Sequence, residues 1–424
     1  MNVICAVFAA RRYWSDEEEL QRAYETLKST LPFQADRCAL VTEEREMEEL
    51  TADAGDDLFV AIPISGAIQQ MLLTAAARCP SVLLYAAYVP GNAPKELTDA
   101  MLKNNSAPPI VDCWSVLRRT HPQAFIAVTG EEAGRVITVL RAYSAVKRAK
   151  LLMVGEPEPW VVSASRDMSR YEALGIRIEK VPQEEIRRRY AAATEADAAP
   201  YYSHFRGLAT QIEEPTDADL HNACRMAFAI VETLKAHRAD GMAIACFKLL
   251  ETGTNSCLGV SYINDCTPWV AACEGDMDSA VTMLMMKQLT ARKLWMANCG
   301  LHADRIMNFS HCTAPVDVLG TGNLPCVLRN HHESGIGVSL QVQLPPDHTV
   351  TACRVSAVTG QATILPGTTR SGPYEPVCRT RIYVQFQNPN AYLDKVLGCH
   401  QVFAFTDIRA EMDLLCKLMG FAVL

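Results

Sequence analysis

The chain of 424 residues lacks any C-x-x-C pair, although it holds 16 cysteines. The nearest two, Cys266 and Cys273, are separated by an apolar segment that reads as a strand. Zinc-ribbon and thioredoxin-type sites therefore have no framework here. The cysteines are scattered over apolar segments, as reduced and buried thiols are. Positive charge is also short: Lys and Arg number 40 against 48 Asp and Glu, for a net charge of −8. That excludes the electrostatic footprint of a nucleic-acid binder. Arg187, Arg188 and Arg189 do form a basic run, but Glu184 and Glu185 precede it, as on a solvated helix face. No apolar run approaches the length of a membrane span. Residues 1–8 carry no basic residue ahead of their apolar stretch, so they read as a first strand and not as a signal peptide. A soluble, cytoplasmic protein with no nucleic-acid or membrane partner is expected.

What is present is a regular alternation of strand and helix patterns. Apolar runs at 3–9, 58–62, 81–87 and 124–129 read as strands, with helical patterns at 17–30 and 66–77 between them. Such alternation implies a parallel sheet covered by helices on both faces. A second unit starts near Lys150 with a strand at 151–155 and a proline-marked loop, Glu156-Pro157-Glu158-Pro159. Residues 192–200 read as an exposed connection, 220–237 as a long helix, and 241–246 and 257–262 as strands. Beyond Pro315 the pattern changes to period two, as at 337–344, with further strands at 350–358, 381–386 and 401–406 and a closing helix at 408–419. The expected fold class is α/β. Two consecutive doubly wound parallel-sheet domains (1–148 and 149–312) precede a β-rich, barrel-like domain (313–424).

One stretch invites chemistry: Trp269-Val270-Ala271-Ala272-Cys273-Glu274-Gly275-Asp276. Its left half ends a buried strand, and Asp276, Asp278 and Ser279 offer capping oxygens to the helix that follows. Glu274 thus stands at the carboxyl end of a strand, the edge at which open α/β sheets bind ligands. A lone carboxylate there is more often a loop charge, so partners decide the matter. The histidines fall late in the chain, His311 in a polar loop and His400 between a glycine bend and a strand. One carboxylate with imidazoles suits a divalent ion such as manganese, but spacing alone does not bring these residues together. Arg11 and Arg12, directly after the first strand, suit an oxyanion, although a solvated loop is the commoner place for such a pair.

The run from Asn264-Asp265 through Pro268 to Asp276 resembles the "ND…P-A-A-C-E-G-D" segment of the L-fucose isomerase-like sugar isomerases, which share a fold with L-arabinose isomerase. His311-Cys312-Thr313-Ala314-Pro315 is similar to their "HCGNAP" loop, and Glu333-Ser334-Gly335-Ile336-Gly337-Val338 to their "ESGxGV". Gly398-Cys399-His400 resembles their "GHH" turn, so the likeness covers the chain from about Asn255 onward. It implies an aldose–ketose isomerase working through an enediol on a sugar or an anionic, sulfonated or phosphorylated, sugar derivative. Glu274, Asn298 and His400 are then the ligands of a divalent metal, most often Mn2+. Glu274 is the catalytic carboxylate, and His311 and Glu333 meet the substrate; Arg11 and Arg12, by their place after the first strand and not by the resemblance, are candidates to meet an anionic group of it. A homo-trimer or homo-hexamer with the active site near a subunit interface is also implied. Asn298 departs from the pattern, since the family places an aspartate there, and it cannot shuttle a proton. Asp304, Asp276 and Glu333 are the candidates to replace that acid, with Asp304 placed in the catalytic pair. The alternative is a cytoplasmic sugar-binding or catalytically degenerate relative.

Overall fold

The structure, a computed structural model, describes residues 1–302 and 306–424, the side chains of 389–391 excepted. Its residues gather into two compact units, Met1–Arg141 and Ala142–Leu424. In the first, β1 (Val3–Phe8), β2 (Arg37–Val41), β3 (Leu58–Pro63), β4 (Ser81–Tyr85) and β5 (Ala124–Ala127) pair in parallel in the order β2-β1-β3-β4-β5. Every residue of β1, β3 and β4 is buried. Strands without a polar face need helices on both sides, and this explains their unbroken apolar runs. The expected helix at 17–30 forms as Glu17–Thr30, capped by the Asp16 carboxylate on the Glu19 amide at 2.7 Å.

The second unit begins with β6 (Lys150–Val154) and β7 (Arg177–Val181). β8 (Ala209–Ile212) joins a different sheet, and β9 (Gly241–Ile244) and β10 (Val270–Ala272) complete a parallel sheet ordered β10-β9-β6-β7. Then follow β11 (Trp295–Gly300), β12 (Met307–His311), β13 (Cys326–Arg329), β14 (Ser339–Val342), β15 (Thr349–Ser356), β16 (Gln361–Arg370), β17 (Thr380–Phe386), β18 (His400–Ala404) and β19 (Ala422–Val423). The order β15-β18-β11-β12-β17-β16, with β16 pairing back onto β15, closes a six-stranded antiparallel barrel. Closure leaves those six strands no open edge. The α/β class with a barrel-like C-terminal region is thus the observed architecture, and two barrel strands, β11 and β12, precede residue 313.

Two local expectations are corrected. Residues 257–262 are helical, within Cys257–Cys266, and not a strand. A short apolar run has no decisive period. Here Gly259 lies flat on the long helix Asp217–His237, where a Cβ would meet Ile230 Cδ1 at 2.8 Å. Residues 192–200 are mostly exposed, as expected, but they are not a connection throughout, because helix Glu195–Leu208 starts inside them. Its signal was the capping box of Thr194 and Asp197, which outweighs Pro200.

Helix Met277–Lys287 joins the two layers of this unit. Its first ten residues are buried, and it packs on β9 and β10 of the sheet and on β15 and β18 of the barrel. Its start therefore faces the last strand of the barrel, where the site lies.

Candidate metal centre

Glu274 occupies the turn between β10 and helix Met277–Lys287 with φ of 59°, in the left-handed region. A residue with a Cβ pays about 1 kcal/mol or more for that conformation, and such strain concentrates at functional sites. Gly275 follows at φ of 66°, where a Cβ would meet Pro157 Cα at 2.7 Å. The turn is pinned by the Gly275 amide on the Ile244 carbonyl at 2.9 Å and by the Glu158 amide on the Glu274 carbonyl at 3.0 Å. It aims the carboxylate away from the sheet. Oε2 accepts from the Trp160 indole at 2.8 Å, while Oε1 lies 3.4 Å from His400 Nε2 and 3.8 Å from His311 Nε2.

The histidines arrive from the barrel. His311 ends β12 and His400 begins β18, with β11 between these strands. In that strand Asn298 is in register with His400 on one side and with Ser310 on the other. The ligand atoms of Glu274, His311 and His400 lie within 4.8 Å of one another, and all three residues are buried. His400 Nε2 is buried with no well-formed hydrogen bond, a costly omission unless something binds there.

A layer behind these residues fixes their direction. Thr313 Oγ1 meets His311 Nδ1 at 3.0 Å, and His400 Nδ1 meets Asp276 Oδ2 at 2.8 Å. The fully buried Asp276 also caps the helix, accepting from the Ser279 amide at 3.1 Å, and takes Arg354 Nη1 at 2.8 Å. Arg354, 1% exposed, further donates to the His400 carbonyl at 3.2 Å. Asp276 is therefore committed to holding His400, and its candidacy as the replacement acid fails on geometry. Arg354 was missed in the sequence, although an arginine within the apolar strand 350–358 was a visible anomaly.

The electrostatics favour positive charge beside Glu274. Burial alone would raise the Glu274 carboxyl, but the imidazoles of His311 and His400 beside it hold it well below the ordinary range, so it is ionised. Burial opposes a charged His400, yet Asp276, Cys399 and Glu274 outweigh it and raise its pKa. Burial pushes Asp278 up to about 6. One carboxylate and two imidazoles facing one point form a donor set for a first-row divalent ion, and the residues present fit one.

Glu274, Asn298, His311 and Glu333 line one pocket of about 450 Å³, its open mouth included, together with His331, Asn255 and Phe247. The structure thus joins four of the expected site residues, with His400 directly behind. His331 and Trp160 were not foreseen. Phe247 packs edge-on against Trp160, 4.7 Å between ring centres, which sets an aromatic surface beside Glu274. Arg11 and Arg12 belong to the first unit, where Arg11 pairs with Glu17 and Arg12 stacks over Tyr13 at 5.5 Å. Asp304 lies outside the described residues. No helix among the described residues is long and apolar enough to cross a membrane.

The chain matches no known family profile and no curated protein.

Proposed function

We propose that the protein is a metal-dependent aldose–ketose isomerase acting on a sugar or sugar derivative. The observation that carries this reading is the convergence of Glu274, His311 and His400, the first two of which line one pocket with Asn298 and Glu333. The motif resemblance to the fucose isomerase-like enzymes points to the same residues, and Mn2+ is the ion proposed.

When bound, the metal would polarise the carbonyl and hydroxyl oxygens of the substrate. The chain's own residues do the rest. His400, oriented by Asp276, and His311, oriented by Thr313, would hold the ion as neutral imidazoles, and the ion's charge would keep Glu274 ionised. The Glu274 carboxylate takes the proton from the hydroxyl-bearing carbon, and the released electron pair forms the enediol double bond. Returning that proton to the neighbouring carbon completes the exchange of carbonyl and hydroxyl positions. Asn298 orients a substrate oxygen or the ion through its carbonyl, without charge. Glu333, the second carboxylate among the described pocket residues, is proposed to relay the oxygen-bound proton. Trp160 and Phe247 offer an apolar face to a sugar ring.

Cytoplasmic residence, supported by sixteen free thiols, and a homo-trimer or homo-hexamer, supported only by the resemblance, complete the proposal. Asn298 favours a second reading, a sugar-binding relative without turnover. A panel of aldoses incubated with the full chain and Mn2+, read as ketose formation, separates them. Ketose from at least one aldose supports the isomerase, and sugar binding without ketose from any of them supports the second reading.

A further inference from the structure

A second set of metal-binding side chains converges away from the Glu274 pocket. Helix Glu195–Leu208 carries His204, and the last turn of helix Cys257–Cys266 carries Asp265 and Cys266. Their ligand atoms lie within 4.8 Å of one another, and none of the three lines the pocket described above. His204 Nε2 faces Cys266 Sγ at 3.6 Å. Phe205 and Tyr262 hold the imidazole edge-on, at 5.0 and 5.3 Å between ring centres, so the direction of Nε2 is set by packing. Burial lowers the pKa of this histidine and so favours its neutral form.

Asp265 is 7% exposed, and its Oδ2 accepts a hydrogen bond from the Val316 amide at 3.2 Å. Among the described residues it has no ion-pair partner within 4 Å. A buried carboxylate without a paired cation is an under-compensated charge. Burial accordingly pushes its pKa up, against the opposing pull of backbone amides and the more distant Lys293. The third member, Cys266, is exposed, which opens a path from solvent. Carboxylate, imidazole and thiol at one point can supply three ligands of a cation.

We infer that His204 Nε2, a carboxylate oxygen of Asp265 and Cys266 Sγ form a zinc-type site, with water completing a tetrahedral shell. On binding, the Cys266 S–H bond breaks, its proton passes to solvent and a sulfur–metal bond forms, with no electron transferred. The sulfur sets this site apart from the Glu274 cluster: thiolate and imidazole select zinc-like ions, whereas carboxylate-led shells admit manganese. The ion would tie helix Glu195–Leu208 to the end of helix Cys257–Cys266. The inference does not depend on the isomerase reading.

The test titrates chelator-stripped full-length protein with Co2+ and follows the near-ultraviolet thiolate-to-cobalt charge-transfer band. A saturable band that Zn2+ displaces and Mn2+ does not is expected. Cys266→Ser, a change at an exposed position that leaves the circular dichroism intact, should abolish it. His204→Gln should weaken Co2+ binding by more than about tenfold, beyond what loss of an outer-shell partner costs. No band in the wild-type chain, a band that survives Cys266→Ser, or Co2+ affinity unchanged in His204→Gln each overturns the site.

Discussion

His400 Nδ1 lies 2.8 Å from Asp276 Oδ2, and this one bond decides which ring nitrogen faces Glu274. Asp276 is in turn held by Arg354 at 2.8 Å, so a strand of the barrel, the start of a helix and a histidine of the candidate metal centre share one buried carboxylate. Asp276→Asn keeps the shape but leaves Arg354 without its charge partner. Urea denaturation should show a loss of about 3–5 kcal/mol, the range for breaking a buried pair from one side. Mn2+ affinity, measured by calorimetry at a temperature where the variant stays folded, should fall by about 10–100-fold. Lost stability with unchanged metal affinity would reduce Asp276 to a structural role.

Trp160 reports on the site directly, because its indole nitrogen donates to Glu274 Oε2 at 2.8 Å while the side chain stays half exposed. Mn2+ binding should change the tryptophan emission saturably. The change should vanish in Trp160→Phe while metal affinity stays within about tenfold of wild type, since one neutral hydrogen bond contributes about 1 kcal/mol.

Asn298 stands beside His400 in the barrel and lines the pocket where an aspartate is the expected ligand. Asn298→Asp adds a charged oxygen ligand, so equilibrium dialysis should show Mn2+ bound at least about tenfold more tightly. Unchanged or weaker binding would place position 298 outside the metal's reach.

Much of this was legible in the sequence where periodicity and caps agree. The runs in β1, β3 and β4 are buried on both faces and cannot be confused with exposed loops. Glu274 stood out because a strand ends and a helix cap begins around it. Cys257–Cys266 misled because its apolar residues carry no clear period, and only packing of Gly259 on a neighbouring helix makes it helical. Convergence was not legible at all. His311 and His400 lie 89 positions apart (400 − 311) and meet only because β11 brings β12 and β18 into one barrel wall. Nor could spacing show that Asp276, legible as a helix cap, also orients a histidine 124 positions further along the chain.

A pH test addresses the ion pair at the end of β13, in the three-stranded sheet of β14, β13 and β8. Hydrogen bonds from Arg329, its Nε at 2.7 Å, hold the Glu214 carboxyl down to about 2, against an ordinary 4.5. A depressed carboxylate contributes stability that is fully present above its unfolded pKa and is lost as pH falls through the folded one. Wild type should therefore exceed Glu214→Gln by about 1 kcal/mol at neutral pH, a modest figure because solvent screens the pair. The difference should close between pH 4.5 and pH 2 in denaturation series. A gap that persists at the acid end would mean the carboxylate's charge is not its source.

The central claim is that Glu274 moves a carbon-bound proton at a metal held by His311 and His400. The most direct measurement incubates wild type and Glu274→Gln with Mn2+ and a converted aldose in heavy water, following ketose by nuclear magnetic resonance. Wild type is expected to place solvent deuterium on the carbon beside the carbonyl, through a carboxylate that exchanges its proton. Glu274→Gln, folded and with its histidines intact, should turn over at least about 100-fold more slowly. Undiminished turnover by Glu274→Gln, or ketose formed by wild type with no dependence on added metal after chelation, would contradict the account.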